Sequence, residues 1–342
     1  MAAGRAGGRA KAEAAPEASI TDPPPPEVEA DLARLREKLE LVPAKRLDHN
    51  LLIGTWNLRA FGGLTEKWAA APDDRPKRDL HALACIAEIV SRFDVVAIQE
   101  VKDDIKALRH MLRSLGDHWG LILTDVTKGS AGNGERMAFV FDTRRVRPSG
   151  LACELVLPPK VGKTTIDPER ALDQFSRTPY AVSFLAAGRG YRQTFILTTL
   201  HVVYGKEAER TPELDALARW AAEWARQFDA FGQNLIVLGD FNIEREGDPN
   251  YDAFVSTGLR VPEELQHFPR TLPGKDTGKK VKFYDQIAWF TGEQGVPALS
   301  LNYSKRGGNF DFFDVVLRGL TPAEVSWKLS DHYPLWVEFL TR

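Results

Sequence analysis

From about residue 49 to the C-terminus, short apolar runs that read as buried strands alternate with helix signals. That alternation limits the chain to packed α/β layers. LLIGTW (51–56), DVVAI (94–98), LILTDV (121–126), MAFVFD (137–142), YAVSFLA (180–186), TFILTTL (194–200), NLIVLGD (234–240), FYDQIAWF (283–290) and YPLWVEFL (333–340) have strand length and are rich in β-branched and aromatic residues. KRDLHALACIAEIVSRF (77–93) puts Leu80, Leu83, Ile86 and Val90 on one helical face, and residues 103–115 read as a second helix. Thr211-Pro212 opens a third, with proline at its first position. Strands outnumber helices, which predicts a sandwich of mixed sheets with helices outside.

The N-terminal stretch differs. Residues 1–26 are dominated by Ala, Gly, Glu and Pro and offer little apolar area to offset chain entropy, which predicts a disordered tail. Residues 27–48 read as an amphipathic helix and linker, with Val28, Leu32, Leu35 and Leu39 on one face. The plain use of that face is packing on the domain of residues 49–342; the alternative is binding a partner. With 45 basic and 47 acidic residues, the formal charge is −2, so any phosphate-binding surface must be local. Two cysteines, Cys85 and Cys153, exclude a disulfide framework and a cysteine zinc site. No run approaches the ~20 apolar residues of a membrane span. The basic N-terminus is not followed by the apolar segment of a secretory signal. Few cysteines and no visible signal favour the cytoplasm without fixing the location, and a monomer is the expected state.

The most informative polar residues sit at strand ends. Asn57 follows LLIGTW, Gln99-Glu100 follows DVVAI, His201 follows TFILTTL, and Asp240 closes NLIVLGD with Asn242 two residues on. Asp285 lies near the start of one strand and Asp331-His332 immediately before another. If these ends converge, one rim gathers carboxylates, amides and two histidines. Oxygen donors of this kind suit Mg²⁺, Mn²⁺ or Ca²⁺ rather than zinc, and histidine moves protons near neutral pH. A hard cation beside imidazoles suits attack of water on a phosphate ester. Each residue also has a plainer reading: Glu135 could pair with Arg136, Asp285 could cap a turn, and Asn57 could satisfy a sharp bend.

In TWNLRAFG (55–62), DVVAIQEVKD (94–103), GERMAFVFD (134–142), FSRTPYAVSF (175–184), LHVVYG (200–205), LGDFN (238–242), YDQI (284–287) and SDHYP (330–334), the chain resembles the endonuclease/exonuclease/phosphatase superfamily, nearest to its deoxyribonuclease I branch. The resemblance spans roughly residues 50–340. It implies a four-layer α/β sandwich, two packed mixed β-sheets flanked by helices. It implies that Glu100 is the principal metal ligand, assisted by Asn57 and Asp331. Asp240 and Asn242 would hold phosphate, metal or the attacking water. His332 would pair with Asp285 and His201 with Glu135, the two pairs serving as acid and base. Arg59, Arg177 and Lys102 would contact phosphate. The cofactor implied is Mg²⁺ or Mn²⁺, with Ca²⁺ as an alternative.

The resemblance implies a metal-dependent endonuclease acting on DNA, and RNA as a further substrate. A phosphatase or phospholipid phosphodiesterase on the same fold is the alternative, and a non-catalytic phosphate-binding module is a third reading. Two departures bear on DNA: Asn133 and Gly134 stand where the branch's nuclease has a tyrosine and a basic residue, and Lys102 stands where it has an arginine. RTLPGKDTGKKVK (270–282), just before Asp285, carries Lys279, Lys280 and Lys282, which could gather a polyanion; a solvated loop is the plain alternative.

Overall fold

The computed structural model describes residues 18–127, 133–157, 174–188, 191–227, 234–274 and 282–341. In chain order these form α1 (Pro26–Leu39), β1 (Asn50–Phe61), α2 (Leu80–Ser91), β2 (Val95–Lys102), α3 (Lys106–Leu115), β3 (Trp119–Leu123), β4 (Glu135–Asp142), β5 (Val146–Glu154), β6 (Tyr180–Gly188), β7 (Tyr191–His201), α4 (Glu207–Arg226), β8 (Leu235–Asp240), α5 (Pro249–Val255), β9 (Leu259–Arg260), β10 (Asp285–Phe290), β11 (Asn302–Asn309), α6 (Pro322–Lys328) and β12 (Leu335–Leu340). The strands make two six-stranded sheets, ordered β11-β12-β1-β2-β4-β3 and β5-β6-β7-β8-β10-β9. Both are mixed. The expected sandwich of mixed sheets flanked by helices is the fold.

Period-two alternation builds the layers. On β1, Leu51 and Ile53 face the second sheet, while Leu52, Trp56 and Leu58 join the helices on the other side. On β2, Val95 and Ala97 face inward, and Val96 and Ile98 face the helices. Aromatic rings fill the space between the sheets: Phe184 lies 5.6 Å from Phe139 and 5.4 Å from Phe141, and Trp289 lies 5.3 Å from Phe339. Helices α1, α2, α3 and α6 cover the first sheet, and α4 and α5 pack on each other and on the second.

Each sheet holds one parallel pair, β1 with β2 and β7 with β8. Parallel neighbours need a crossover, and α2 and α4 supply it. Every other pair in both sheets is antiparallel. Strand direction therefore decides which strand ends share a rim.

Several boundaries differ from the sequence reading. The chain is packed from Ala18 rather than from residue 27: Ala18 N–H donates to the Glu66 carbonyl, and Ile20 is buried. Residues 1–17 of the expected tail lie outside the described residues. The apolar face of α1 is buried in this chain's own core, which leaves it no free face for a partner. Helix α4 starts at Glu207, so Pro212 lies inside it rather than at its start. Strands β5, β9 and β11 and helices α5 and α6 lack a strong apolar signal and went unpredicted.

At the end of the first sheet where β1 and β2 begin, two aspartates tie the layers. Asp94 accepts from Leu52 N at 2.7 Å and from Arg145 Nε at 2.6 Å. Asp142 accepts from Lys45 Nζ at 2.9 Å and from Arg144 Nη2 at 2.7 Å. Burial alone would raise the Asp142 carboxyl, but these cations hold it well below the usual carboxylate range. A folded value below the unfolded one stabilises the fold fully above about pH 4. That contribution disappears as pH falls through the folded value. Asp142→Asn is expected to lower the unfolding free energy by about 2 kcal/mol at pH 7, with the gap to wild type closing in urea titrations below about pH 4. A gap independent of pH would assign the effect to packing instead.

Candidate active site

Strand polarity gathers the polar ends. Asn57 and Glu100 lie toward the C-terminal ends of parallel β1 and β2, and His201 and Asp240 end parallel β7 and β8, in register with each other. Antiparallel neighbours bring their starts to the same rim. Asp285 opens β10 opposite Asp240, and Glu135 opens β4 opposite Lys102. The residues before β12 carry Asp331 and His332 to the end of β1.

The contacts then close on one carboxylate. Asn57 Nδ2 donates to Asp240 Oδ2 at 2.9 Å and to Glu100 Oε1 at 3.0 Å. His201 Nε2 lies 3.6 Å from the same Asp240 oxygen, and His332 Nε2 lies 4.0 Å from it. The far nitrogen of each ring is held by its own carboxylate. His332 Nδ1 is 2.6 Å from Asp285 Oδ2, and His201 Nδ1 is 3.1 Å from Glu135 Oε2. Asp240, Asp285, Glu135 and both histidines are buried.

Burial would push His332 down, but Asp285 and Asp240 raise it well above the ordinary imidazole value. Burial lifts Asp285 to about 6 against the pull of His332. Their contact favours the imidazolium–carboxylate form of the pair. Burial also opposes charge on Glu135, but His201, Arg177 and Lys102 outweigh it and hold Glu135 at about 2. Asp240 is likewise lowered: burial acts against it, and His332 and His201 prevail.

Backbone geometry fixes these positions. Glu100 and Asn242 have positive φ of 62° and 50°, a conformation that costs energy in non-glycine residues and concentrates at functional sites. Glu100 sits where β2 shifts register against β4, and its Oε2 accepts from Ala60 N at 2.8 Å. Gly239 has φ 144°, and a Cβ there would lie 2.1 Å from the Leu200 carbonyl oxygen. Only glycine lets β8 approach β7 closely enough to place Asp240 beside His201.

Several expected phosphate contacts have other partners. Lys102 Nζ lies 2.8 Å from Glu135 Oε1, turned inward rather than toward a substrate. Arg177 is buried with Nε 2.8 Å from Glu135 Oε2. Glu135 thus serves two cations, Lys102 and Arg177, and the His201 ring, and Arg136 instead donates to the Lys102 and Asp103 carbonyls. Arg59 Nη1 lies 3.2 Å from Asp331 Oδ2. Asp331 is 41% exposed and stands outside the buried acidic group. Asn242 donates from N to Asp240 Oδ1 at 2.9 Å and from Nδ2 to the Val202 carbonyl at 2.8 Å. Lys282 bonds Glu244 at 2.7 Å, and Lys279 and Lys280 lie outside the described residues.

Three side chains support the site: Gln99, one of the strand-end residues, and two arginines whose burial no sequence signal marks. Gln99 Nε2 donates to Thr55 and Thr199, at 3.1 and 3.0 Å, which ties the two sheets together below the site. Arg78 is buried and donates to the carbonyls of Leu58, Arg59, Ala60, Lys328 and Leu329. It clamps the irregular end of β1 to the segment leading into Ser330-Asp331-His332. Arg270 is fully buried, donates to the Asp285 carbonyl at 3.2 Å, and lies 4.9 Å from the Phe283 ring. A lone arginine in a loop gives no hint that it will be buried.

Ligand atoms of Asp240, Asp285 and His332 lie within 4.8 Å of one another, a group that could hold a metal ion. Beside it, Asn57 Oδ1 is buried and accepts no hydrogen bond. An oxygen acceptor left unpaired next to Glu100 and Asp240 fits a hard cation.

A model of the Endonuclease/Exonuclease/phosphatase family matches residues 54–332. The chain belongs to that family. A deoxyribonuclease of Thioalkalivibrio sp. (strain K90mix) is 27% identical over 301 residues, covering 85% of this chain and 71% of the relative. Human deoxyribonuclease-1-like 2 is 25% identical over 222 residues, covering 57% of this chain and 62% of the relative. Among solved structures, a mannosyl-6-phosphatase of Bacteroides thetaiotaomicron superposes with a TM-score of 0.54 at 19% identity, covering 84% of this chain and 99% of that one. Family membership makes the chain a hydrolase of phosphoric esters. No helix among the described residues is long and apolar enough to cross a membrane.

The position of Lys102 yields a discriminating test. Lys102→Met is expected to lower kcat about tenfold, the cost of weakening one charge-assisted hydrogen bond on Glu135, with KM and its salt dependence nearly unchanged. A raised KM with a shallower salt slope would instead make Lys102 a substrate contact.

Proposed function

We propose that the chain is a divalent-metal-dependent phosphodiesterase that hydrolyses DNA, with RNA as a further substrate. The observation that carries this reading is the pair of imidazole Nε2 atoms that flank a single oxygen of Asp240, each ring backed by its own carboxylate. Such an arrangement suits hydrolysis at one phosphorus. One imidazole takes the proton of the attacking water, and the other gives a proton to the leaving oxygen as the P–O bond breaks. Glu135 and Asp285 hold the ring tautomers that this exchange needs. Asp240 and Asn242 orient the water and the phosphate.

Glu100 and the unpaired Asn57 Oδ1 would hold the metal, with Asp331 reaching it from the rim. Mg²⁺ or Mn²⁺ suits this oxygen set, and Ca²⁺ is an alternative. A bound ion supplies charge neutralisation at the phosphoryl oxygens. The deoxyribonuclease relatives support nucleic acid as the substrate. Partners beyond that substrate are not required, and the reading retains a cytoplasmic monomer.

One observation favours a second reading, a phosphatase or phosphodiesterase of small esters. Lys102 and Asn133 both turn inward onto Glu135, which leaves that side of the rim without an outward side-chain cation at these positions. A panel of supercoiled plasmid, single-stranded DNA, RNA, sugar phosphates and phospholipids separates the two. The plasmid is expected to be nicked with Mg²⁺ or Mn²⁺ and untouched after EDTA. His201→Ala and His332→Ala are each expected to lose about 10²–10⁴-fold in rate while circular dichroism still reports a folded protein. Hydrolysis of sugar phosphate with no cleavage of any nucleic acid would install the second reading.

A further inference from the structure

We infer that Trp327 and Arg59 form a stacking platform beside the site, built to receive an unpaired nucleobase of the substrate strand. The inference rests on the nuclease reading and adds to it a preference for nucleic acid with unstacked bases.

Trp327 is 53% exposed, although large apolar side chains are otherwise mostly buried in this fold. It sits on α6, three residues before Ser330, and the Arg59 guanidinium carbon lies 3.9 Å from its ring centroid. That distance is a close cation–π contact. The platform is tied into the site from both sides. Arg59 follows Asn57 by two residues on β1, and its Nη1 bonds Asp331 and Ser326. Asp331 precedes His332.

The mounting is rigid. Arg78 holds the carbonyls of Lys328 and Leu329, directly after Trp327, and also the carbonyl of Arg59. Lys328 is itself bonded to Asp79, which caps α2. An exposed indole held this firmly keeps its orientation at little entropic cost when a ligand arrives.

The chemistry of the surface selects the occupant. A guanidinium against the indole draws electron density from the ring. That weakens contact with the C–H face of a sugar and favours the π-face of a base. Bases inside duplex DNA are stacked on their neighbours and cannot reach such a surface. Only a single strand, a frayed end or a mismatch offers a free face. The platform therefore selects substrate by base unstacking, independently of sequence.

The test compares wild type, Trp327→Ala and Trp327→Phe. Fluorescence anisotropy gives Kd, and cleavage gives KM, for a labelled single-stranded oligonucleotide, the same sequence as a duplex, and single strands with one abasic site stepped past the cleaved phosphate. Trp327→Ala is expected to weaken single-strand binding about tenfold and duplex binding much less, and Trp327→Phe to recover most of the loss. One abasic position should weaken wild type to a similar extent and leave Trp327→Ala no weaker. Equal losses on single strand and duplex, no position-dependent abasic effect, or a KM change confined to sugar phosphates would overturn the platform. Circular dichroism melts exclude misfolding of the alanine variant, and the phenylalanine variant provides the same comparison if they do not. If wild type cleaves DNA and Trp327→Ala behaves identically, the platform fails alone. If wild type neither binds nor cleaves nucleic acid, the nuclease reading fails with it.

Discussion

The buried carboxylate of Asp240 is the contact around which the site is arranged. Its Oδ2 faces two imidazoles and takes a hydrogen bond from Asn57, and its Oδ1 takes one from the backbone of Asn242. A buried carboxylate is costly unless paired and hydrogen-bonded. Here the partners that offset burial come from β1, from the end of β7, and from the segment before β12. The same contacts that make Asp240 tolerable join the rims of both sheets. Loss of that charge would leave the histidines facing each other without the carboxylate between them.

Two similar pairs on either side of Asp240 have different surroundings. Asp285 is reserved for His332, with Arg270 beneath it bonded to the Asp285 carbonyl. Glu135 is shared among His201, Arg177 and Lys102. Arg177 and Lys102 beside Glu135 repel any positive charge on the His201 ring, which offsets part of the attraction of that carboxylate. The His332 pair sits in a charge environment dominated by acids, the His201 pair in one where base and acid balance. The asymmetry arises from the rim's residues and not from the strand framework, which treats both pairs alike.

Much of the framework was legible because it depends on local patterns. Apolar runs with period two identify the central strands, and the polar residues at their ends mark the rim on both sheets. Strand polarity is harder to read: Asp285 and Asp331-His332 precede their strands, and only the antiparallel pairing in the sheets shows why they reach the same rim. Three of the four edge strands, β5, β9 and β11, lack the apolar run that marks the fourth, β3. β11 reads NYSKRGGN and is mostly half-buried or exposed, and β5 contains Pro148 and alternates between exposed and half-buried. Neither needs an apolar run, since an edge is held by its neighbour's backbone. The inward turn of Lys102 and the burial of Arg78 and Arg270 depend on which carbonyls and carboxylates meet in space, and spacing along the chain does not carry that information.

The Gln99 amide spans from Thr55 on one sheet to Thr199 on the other, directly under the polar rim. Sliding of one β-layer across the other would break its bond to Thr199 and leave a buried amide short of a partner. The floor of the cleft is accordingly inelastic. Substrates of different width must be accommodated by the connecting segments above it, so specificity can diverge among such proteins while the spacing of the reacting groups stays constant.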